Sequence, residues 1–186
     1  MSGTVGILGI CGSLRKGSYN SAALRAAAAL APPDTRMEFA ELADFPLYNA
    51  DDQARGIPAA VQRVGAQIRA ADAVLFATPE YNYSVPGVLK NAIDWISRLP
   101  EQPFAGKPCA IMGASPGRLG TARAQYHLRQ VGVYLDMRFL NRPEVMIAAA
   151  NEHFDAQGQL VHAPTAELVG KLVAALRAAA VAARPA

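Results

Sequence analysis

Three short stretches collect most of the residues able to hold a small ligand or assist its chemistry. The first is Gly12-Ser13-Leu14-Arg15-Lys16-Gly17-Ser18-Tyr19-Asn20-Ser21, with three serines, an asparagine, two cations and two glycines. Ahead of a helix, such a loop brings free backbone N–H groups and the positive end of the helix dipole beside hydroxyls and a guanidinium. That donor set suits a phosphate dianion. Ser18, Asn20 or Ser21 taken singly would be an ordinary helix cap; the density of donors points to the anion. The second stretch is Thr78-Pro79-Glu80-Tyr81-Asn82-Tyr83-Ser84-Val85-Pro86-Gly87. Its tyrosines and peptide groups suit a flat ring with polar edges. Glu80 reads as a hydrogen-bonding loop carboxylate before it reads as a catalytic acid. The third, Ser115-Pro116-Gly117-Arg118-Leu119-Gly120, has glycines that let backbone approach a ligand.

Sharper motifs fail at single residues. Gly12 and Gly17 have Walker A spacing, but Ser18 stands where the lysine belongs. Gly-x-Gly-x-x-Gly is absent, so a dinucleotide is not the tightly held ligand. A Cys-x5-Arg phosphatase loop from Cys11 would need an arginine at Gly17, and the arginine is Arg15. The two cysteines, Cys11 and Cys109, are too far apart for a metal pair, and each lies in or beside an apolar run, which reads as a buried thiol. The reading therefore holds no metal site and no catalytic side chain.

The elements that must position these loops follow from periodicity. Apolar runs at Val5–Ile10, Ala73–Thr78 and Pro108–Ala114 read as strands, the latter two buried on both faces. Arg36–Leu42 is a half-polar strand with Met37 and Phe39 on one face, and Arg138–Ile147 a strand region broken by Pro143. Between them lie helices over Ser21–Leu30, from Pro58, from Pro86, over Thr121–Tyr134 and over Ala166–Ala183; Ala43–Gly56 and Asn151–His162 read as loops. Five strands alternating with five helices imply one α/β domain over residues 1–186. It is a three-layer sandwich with a five-stranded parallel sheet of order 2-1-3-4-5 and helices on both faces. Ligands bind such sheets beyond the carboxyl ends of the strands, where all three loops fall.

Composition narrows the partners. Charged residues make up 18% of the chain and the net charge is +3, with scattered cations and no basic stripe, which argues against nucleic acid. A mild positive excess favours an anionic cofactor in a cleft. No run of large apolar residues is long enough for membrane insertion, and the start carries no basic signal segment, so a cytoplasmic protein is expected.

The first two loops, with Leu89-Lys90-Asn91-Ala92-Ile93-Asp94-Trp95, resemble the NADPH-dependent FMN reductase family of flavodoxin-like proteins. Arg123-Ala124-Gln125-Tyr126-His127-Leu128-Arg129-Gln130 resembles the bacterial quinone reductases within it that also reduce chromate. The resemblance implies FMN, with Ser13, Arg15, Ser18, Tyr19 and Asn20 around its phosphate. Pro79, Glu80, Tyr81, Asn82 and Tyr83 would pass along the isoalloxazine, and Ser115 and Gly117 would line its far edge. It implies hydride transfer from NADPH or NADH to FMN, then electrons to a quinone or to chromate, azo or nitro compounds. No motif for a 2′-phosphate is recognisable, so both donors stand. The alternative is a flavodoxin-type carrier that binds FMN without rapid NAD(P)H oxidation; the positive net charge argues against it. The resemblance also implies a homodimer or homotetramer, with Arg123, Tyr126 and Glu144 in a network across subunits and Asn91, Asp94 and Trp95 at an interface. For Trp95, the core is an equal alternative.

Overall fold

Two of the apolar runs are buried at every residue: β3 (Ala73–Ala77) and β4 (Pro108–Ala114). A strand with no exposed residue needs a layer on each face, and the chain supplies both. The computed structural model describes residues 3–184. In chain order, β1 (Val5–Cys11), α1 (Tyr19–Ala29) and β2 (Thr35–Ala40) come first, then α2 (Ala50–Arg55) and α3 (Ala59–Ala70) before β3. After β3 come α4 (Gly87–Ile96), β4, α5 (Ala122–Tyr134), β5 (Arg138–Phe139), β6 (Val145–Ile147), α6 (Ala150–His153) and α7 (Ala163–Ala183). The sheet is parallel, in the order β2-β1-β3-β4-β5, and β6 also pairs with β4. This is the expected flavodoxin-like order, with a minor sixth strand.

The period-2 alternation of β1 feeds two cores. Val5 and Ile7 point into one with Ala23, Ala27, Val169, Leu172 and Leu176 from α1 and α7. Leu8 and Ile10 point into the other, with Val64 and Ile68 of α3, Ile93 and Trp95 of α4, and Leu128 of α5. Phe76 and Phe104 are fully buried there, 6.2 Å apart; each contributes about 1.5–3 kcal/mol by burial.

Several boundaries differ from the sequence reading. Helix α1 starts two residues early because the Ser18 hydroxyl accepts from the N–H groups of Asn20 and Ser21. The segment 43–56 is not all loop: Asn49 caps the short α2. The region 138–147 divides into β5 and β6, since Pro143 has no N–H for a ladder. The segment 151–162 holds the end of α6 and a bridge between Phe154 and Leu160. Trp95 belongs to the core, fully buried, its indole N–H donating to Pro46 O at 2.9 Å. Asn91 spends both ends of its amide on the same loop, at Tyr48 N and Pro46 O, and Asp94 pairs with Lys90. Cys109 is buried, which pushes its thiol up; Cys11 is only half buried.

At the start of α7, His153 and His162 stack with ring centroids 4.1 Å apart. The Thr165 hydroxyl bonds Nδ1 of both, at 3.0 and 2.8 Å. Burial and then the neighbouring His162 hold His153 below the ordinary histidine value of 6.5, against a smaller opposing pull from Glu152. The unfolded chain therefore binds more protons here, and stability rises with pH. The thermal midpoint is expected to fall as pH drops through and below 6.5, and His153→Gln to flatten that dependence. An unchanged slope in the variant, read by circular dichroism melts, would exclude the pair as its source.

Candidate functional site

The strand tips are held in one row by backbone bonds that run past the strands themselves. Gly12 N–H donates to Ala77 O at 2.9 Å, Thr78 N–H to Met112 O at 3.0 Å, and Ser115 N–H to Ile147 O at 3.0 Å. Across this row lies a side chain: Asn20 donates to Ala114 O and accepts from Ala114 N–H, both at 2.9 Å. The start of α1 is thereby fastened to the end of β4, and Asn20 is buried. Tight packing completes the rim. A Cβ at Gly113 would lie 2.4 Å from the Thr78 carbonyl, so only glycine lets these backbones approach.

In the first loop, Ser18 is buried and serves as the cap, while Ser13 and Arg15 remain available at the rim. Arg15 is exposed, with its guanidinium carbon 5.5 Å from the Tyr19 ring. Tyr19 in turn packs on Phe154 at 5.7 Å. Among the described residues, the N–H groups of Leu14, Lys16 and Gly17 donate to no group of the chain. Those free donors, the Ser13 hydroxyl and Arg15 form an anion cradle at a helix start.

The second loop folds back on itself. Tyr81 and Ser84 exchange backbone hydrogen bonds at 3.2 and 3.1 Å, and the two residues between them, Asn82 (φ 49°) and Tyr83 (φ 70°), are both left-handed. That turn geometry favours Asn-Gly; a tyrosine at its second position is strained by about 1–3 kcal/mol. The neighbours hold it there. The Arg123 guanidinium lies over the Tyr83 ring, 3.5 Å from its centroid. The Ser84 hydroxyl meets His127 Nδ1 at 2.9 Å.

Glu80 explains why Arg123 stands where it does. Its carboxylate accepts from Arg123 N–H at 3.0 Å, Ala124 N–H at 3.1 Å and Arg123 Nε at 2.6 Å. It also pairs with the other guanidinium nitrogen. Thr121 offers no side-chain cap to α5, so Glu80 caps that helix from another loop. Burial alone would raise the Glu80 carboxyl. The Arg123 side chain and the Ala124 N–H outweigh it and hold the group below the usual carboxylate range.

In the third loop, Ser115 Oγ accepts from Gly117 N–H at 3.0 Å. Gly120 has φ 63°, and a Cβ there would lie 2.7 Å from the Met146 backbone. Loops two and three with Arg123 enclose a cleft of about 240 Å3, bounded by Glu80, Asn82, Tyr83, Ser115 and Gly117. Ser13 and Arg15 line a second cavity toward β2. Pro79 is buried beneath the rim, and Tyr19 and Tyr81 border neither space. Arg123 was expected only at a subunit contact; it lies in the cleft, and its position just after the third loop was the signal. Within the chain, Tyr126 donates to Glu144 at 3.0 Å and Arg123 donates to Glu80 at 2.6 Å.

A doubly wound parallel sheet with an anion cradle and a ring-sized cleft side by side at its strand tips is a flavodoxin-like cofactor-binding protein. The sequence profile of the NADPH-dependent FMN reductase family matches residues 5–152. An NAD(P)H-dependent FMN reductase of Pseudomonas aeruginosa is 62% identical over 177 residues, 95% of this chain and 96% of that protein. A quinone reductase of Escherichia coli is 48% identical over 178 residues, 94% and 95% of the two chains. Among solved structures, FerB, a flavoenzyme NAD(P)H:(acceptor) oxidoreductase from Paracoccus denitrificans, superposes with a TM-score of 0.87 at 34% identity, covering 96% of this chain and 98% of its own. The chain belongs to the NADPH-dependent FMN reductase family. The donors at the start of α1 fit a phosphate, and the neighbouring cleft, walled by peptide groups and Tyr83, fits a flat ring.

Glu80→Ala is expected to lower stability by about 2–3 kcal/mol, since it strips charge-assisted hydrogen bonds from a nearly buried group. In a double-mutant cycle with Arg123→Ala, the two losses are expected to be strongly non-additive. Because the Glu80 carboxyl is depressed, its contribution holds above the ordinary carboxylate range and fades as pH falls through its lowered value. Additive losses in urea titrations would mean that the pair does not hold the loop.

Proposed function

We propose that the chain is an FMN-dependent oxidoreductase that oxidises NAD(P)H and passes the electrons to a quinone. The observation that carries this reading is the joining, across three strand tips, of the anion cradle at Ser13 and Arg15 with the cleft at Tyr83 and Gly117. Bound FMN supplies the hydride and electron chemistry, so no side chain has to make or break the reacting bonds. The chain's work is positioning. Ser13, Arg15 and the free N–H groups hold the phosphate, with Ser18 and Asn20 fixing the loop and Tyr19 bracing Arg15. Pro79, Glu80, Tyr81, Asn82 and Tyr83 carry one border of the ring, and Ser115 and Gly117 the other. Tyr83, 68% exposed at the mouth, meets the acceptor.

The Escherichia coli quinone reductase supports a quinone as acceptor. Among the described residues no helix is long and apolar enough to cross a membrane, and the two unpaired thiols suit a reducing compartment, in keeping with the cytoplasm. A homodimer or homotetramer is supported by α5, which leaves Tyr126, Val133 and Tyr134 exposed, the last two by more than 80%.

The first test is the visible absorbance of FMN-loaded protein under anaerobic NADPH. Rapid bleaching, reversed by a benzoquinone, is expected. Bound flavin that neither NADPH nor NADH bleaches would make the protein an electron carrier, and no flavin binding would overturn the cofactor. Tyr83→Phe is expected to keep the fold and shift the ratio of kcat/KM between quinones by about fivefold, the worth of one hydrogen bond of about 1 kcal/mol. Identical ratios for all acceptors would remove Tyr83 from acceptor choice.

A further inference from the structure

The charges that line the ring cleft do not balance. Two arginines, Arg118 and Arg123, face one carboxylate, Glu80. Both oxygens of Glu80 are already occupied. Oε1 accepts from Arg123 Nε and meets the other guanidinium nitrogen, and Oε2 accepts from the N–H groups of Arg123 and Ala124. Arg118 is the cation left over. It is exposed, and among the described residues it forms no ion pair.

The third loop fixes where that charge stands. Gly117 donates its N–H to Ser115 Oγ at 3.0 Å, and its carbonyl accepts from Ala149 N–H at 3.3 Å. Beyond the tip, Leu119 O accepts from Ala122 N–H at 3.1 Å, and the left-handed Gly120 seats against the Met146 backbone. Both ends of the loop are anchored, and Arg118 and Leu119 form its exposed tip. Leu119 is 56% exposed, and Tyr83 also lines the cleft and is exposed. The cleft thus offers solvent an aliphatic side chain, an aromatic ring and an unpaired guanidinium. That set matches a flat ring bearing an anionic group. An inorganic anion would leave the Leu119 and Tyr83 surfaces unused, and a neutral ring would leave the guanidinium unused.

We propose that Arg118 is a specificity-determining residue for the electron acceptor, and that it favours quinones whose ring carries an anionic substituent, a sulfonate or a carboxylate, over neutral quinones of similar size. The proposal rests on the oxidoreductase reading and gives it a substrate class. The guanidinium acts at a water-exposed rim, so the preference is a few-fold one and is screened by salt.

The test uses FMN-loaded protein with Arg118→Gln and Arg118→Lys. Arg118 is exposed and lies outside the left-handed positions of the chain, so both variants keep the fold. Calorimetric titration of the oxidised protein with naphthalene-2-sulfonate, its neutral sulfonamide and inorganic sulfate reads recognition without turnover. Wild type is expected to bind the sulfonate about threefold or more tighter than the sulfonamide or sulfate, and Arg118→Gln to lose that difference. In steady state, the ratio of kcat/KM for 1,4-naphthoquinone-2-sulfonate over that for menadione is expected to fall about three- to fivefold in Arg118→Gln. Arg118→Lys retains most of the ratio, and added salt lowers it in wild type but not in Arg118→Gln. Equal binding of sulfonate and sulfonamide by wild type, or sulfate binding as tightly as the aromatic sulfonate, overturns the proposal. So does a loss in Arg118→Gln that menadione or NADPH shares equally, or a shift in the flavin midpoint potential that accounts for the loss. Bound flavin that no quinone reoxidises sinks the acceptor reading instead, and the naphthalene titration then still decides Arg118.

Discussion

The rim of the sheet depends on one buried amide. Asn20 and Ala114 are 94 positions apart, yet the Asn20 side chain meets both the N–H and the C=O of Ala114. Without it two buried backbone groups would lack partners, at about 1–3 kcal/mol each. The geometric consequence is larger than the energetic one. The clamp draws the first turn of α1 across the tips of β1 and β3 to the end of β4. The first loop, with its free N–H groups, is thus held beside the second and third loops. The anion cradle and the ring cleft become neighbours because of that crossing.

Around this clamp the charges divide into two kinds. Glu80 and Arg123 satisfy each other and spend themselves on structure: the carboxylate caps α5, and the guanidinium covers a strained tyrosine. A left-handed Tyr83 is tolerable only where its surroundings over-determine it, and here they do. Arg15, Lys16 and Arg25 are the opposite case: among the described residues none of them forms an ion pair. In a chain with a net charge of only +3, that local excess comes from placement.

What could be read from the sequence was whatever depends on local pattern. The continuous apolar runs of β3 and β4 announced a sheet covered on both faces, and strand–helix alternation led to its order. The three loops were recognisable because their donors and aromatics are dense within a few residues. What escaped needed long-range partners. Asn20 reads as a phosphate ligand in the string Ser18-Tyr19-Asn20, and nothing local says that its amide is spent on Ala114. Arg123 lies 43 positions from Glu80, so its place in the cleft follows from packing. Trp95 had no visible reason to choose the core until Pro46 offered its carbonyl. The interruption at Pro143 was visible, but whether it ended a strand or divided one was not, because both pieces are short.

The first loop joins a fixed base to an exposed tip, and that division suits an anion site. Ser13, Arg15 and Lys16 all line the cavity over β1 and β2, where Arg25 of α1 and Phe39 of β2 face them. The loop is fixed at its base by the Ser18 cap and the Asn20 clamp, while residues 14–17 are exposed. A phosphate held by the free N–H groups of this segment has only those four residues to order, because the cap and the clamp already fix the rest.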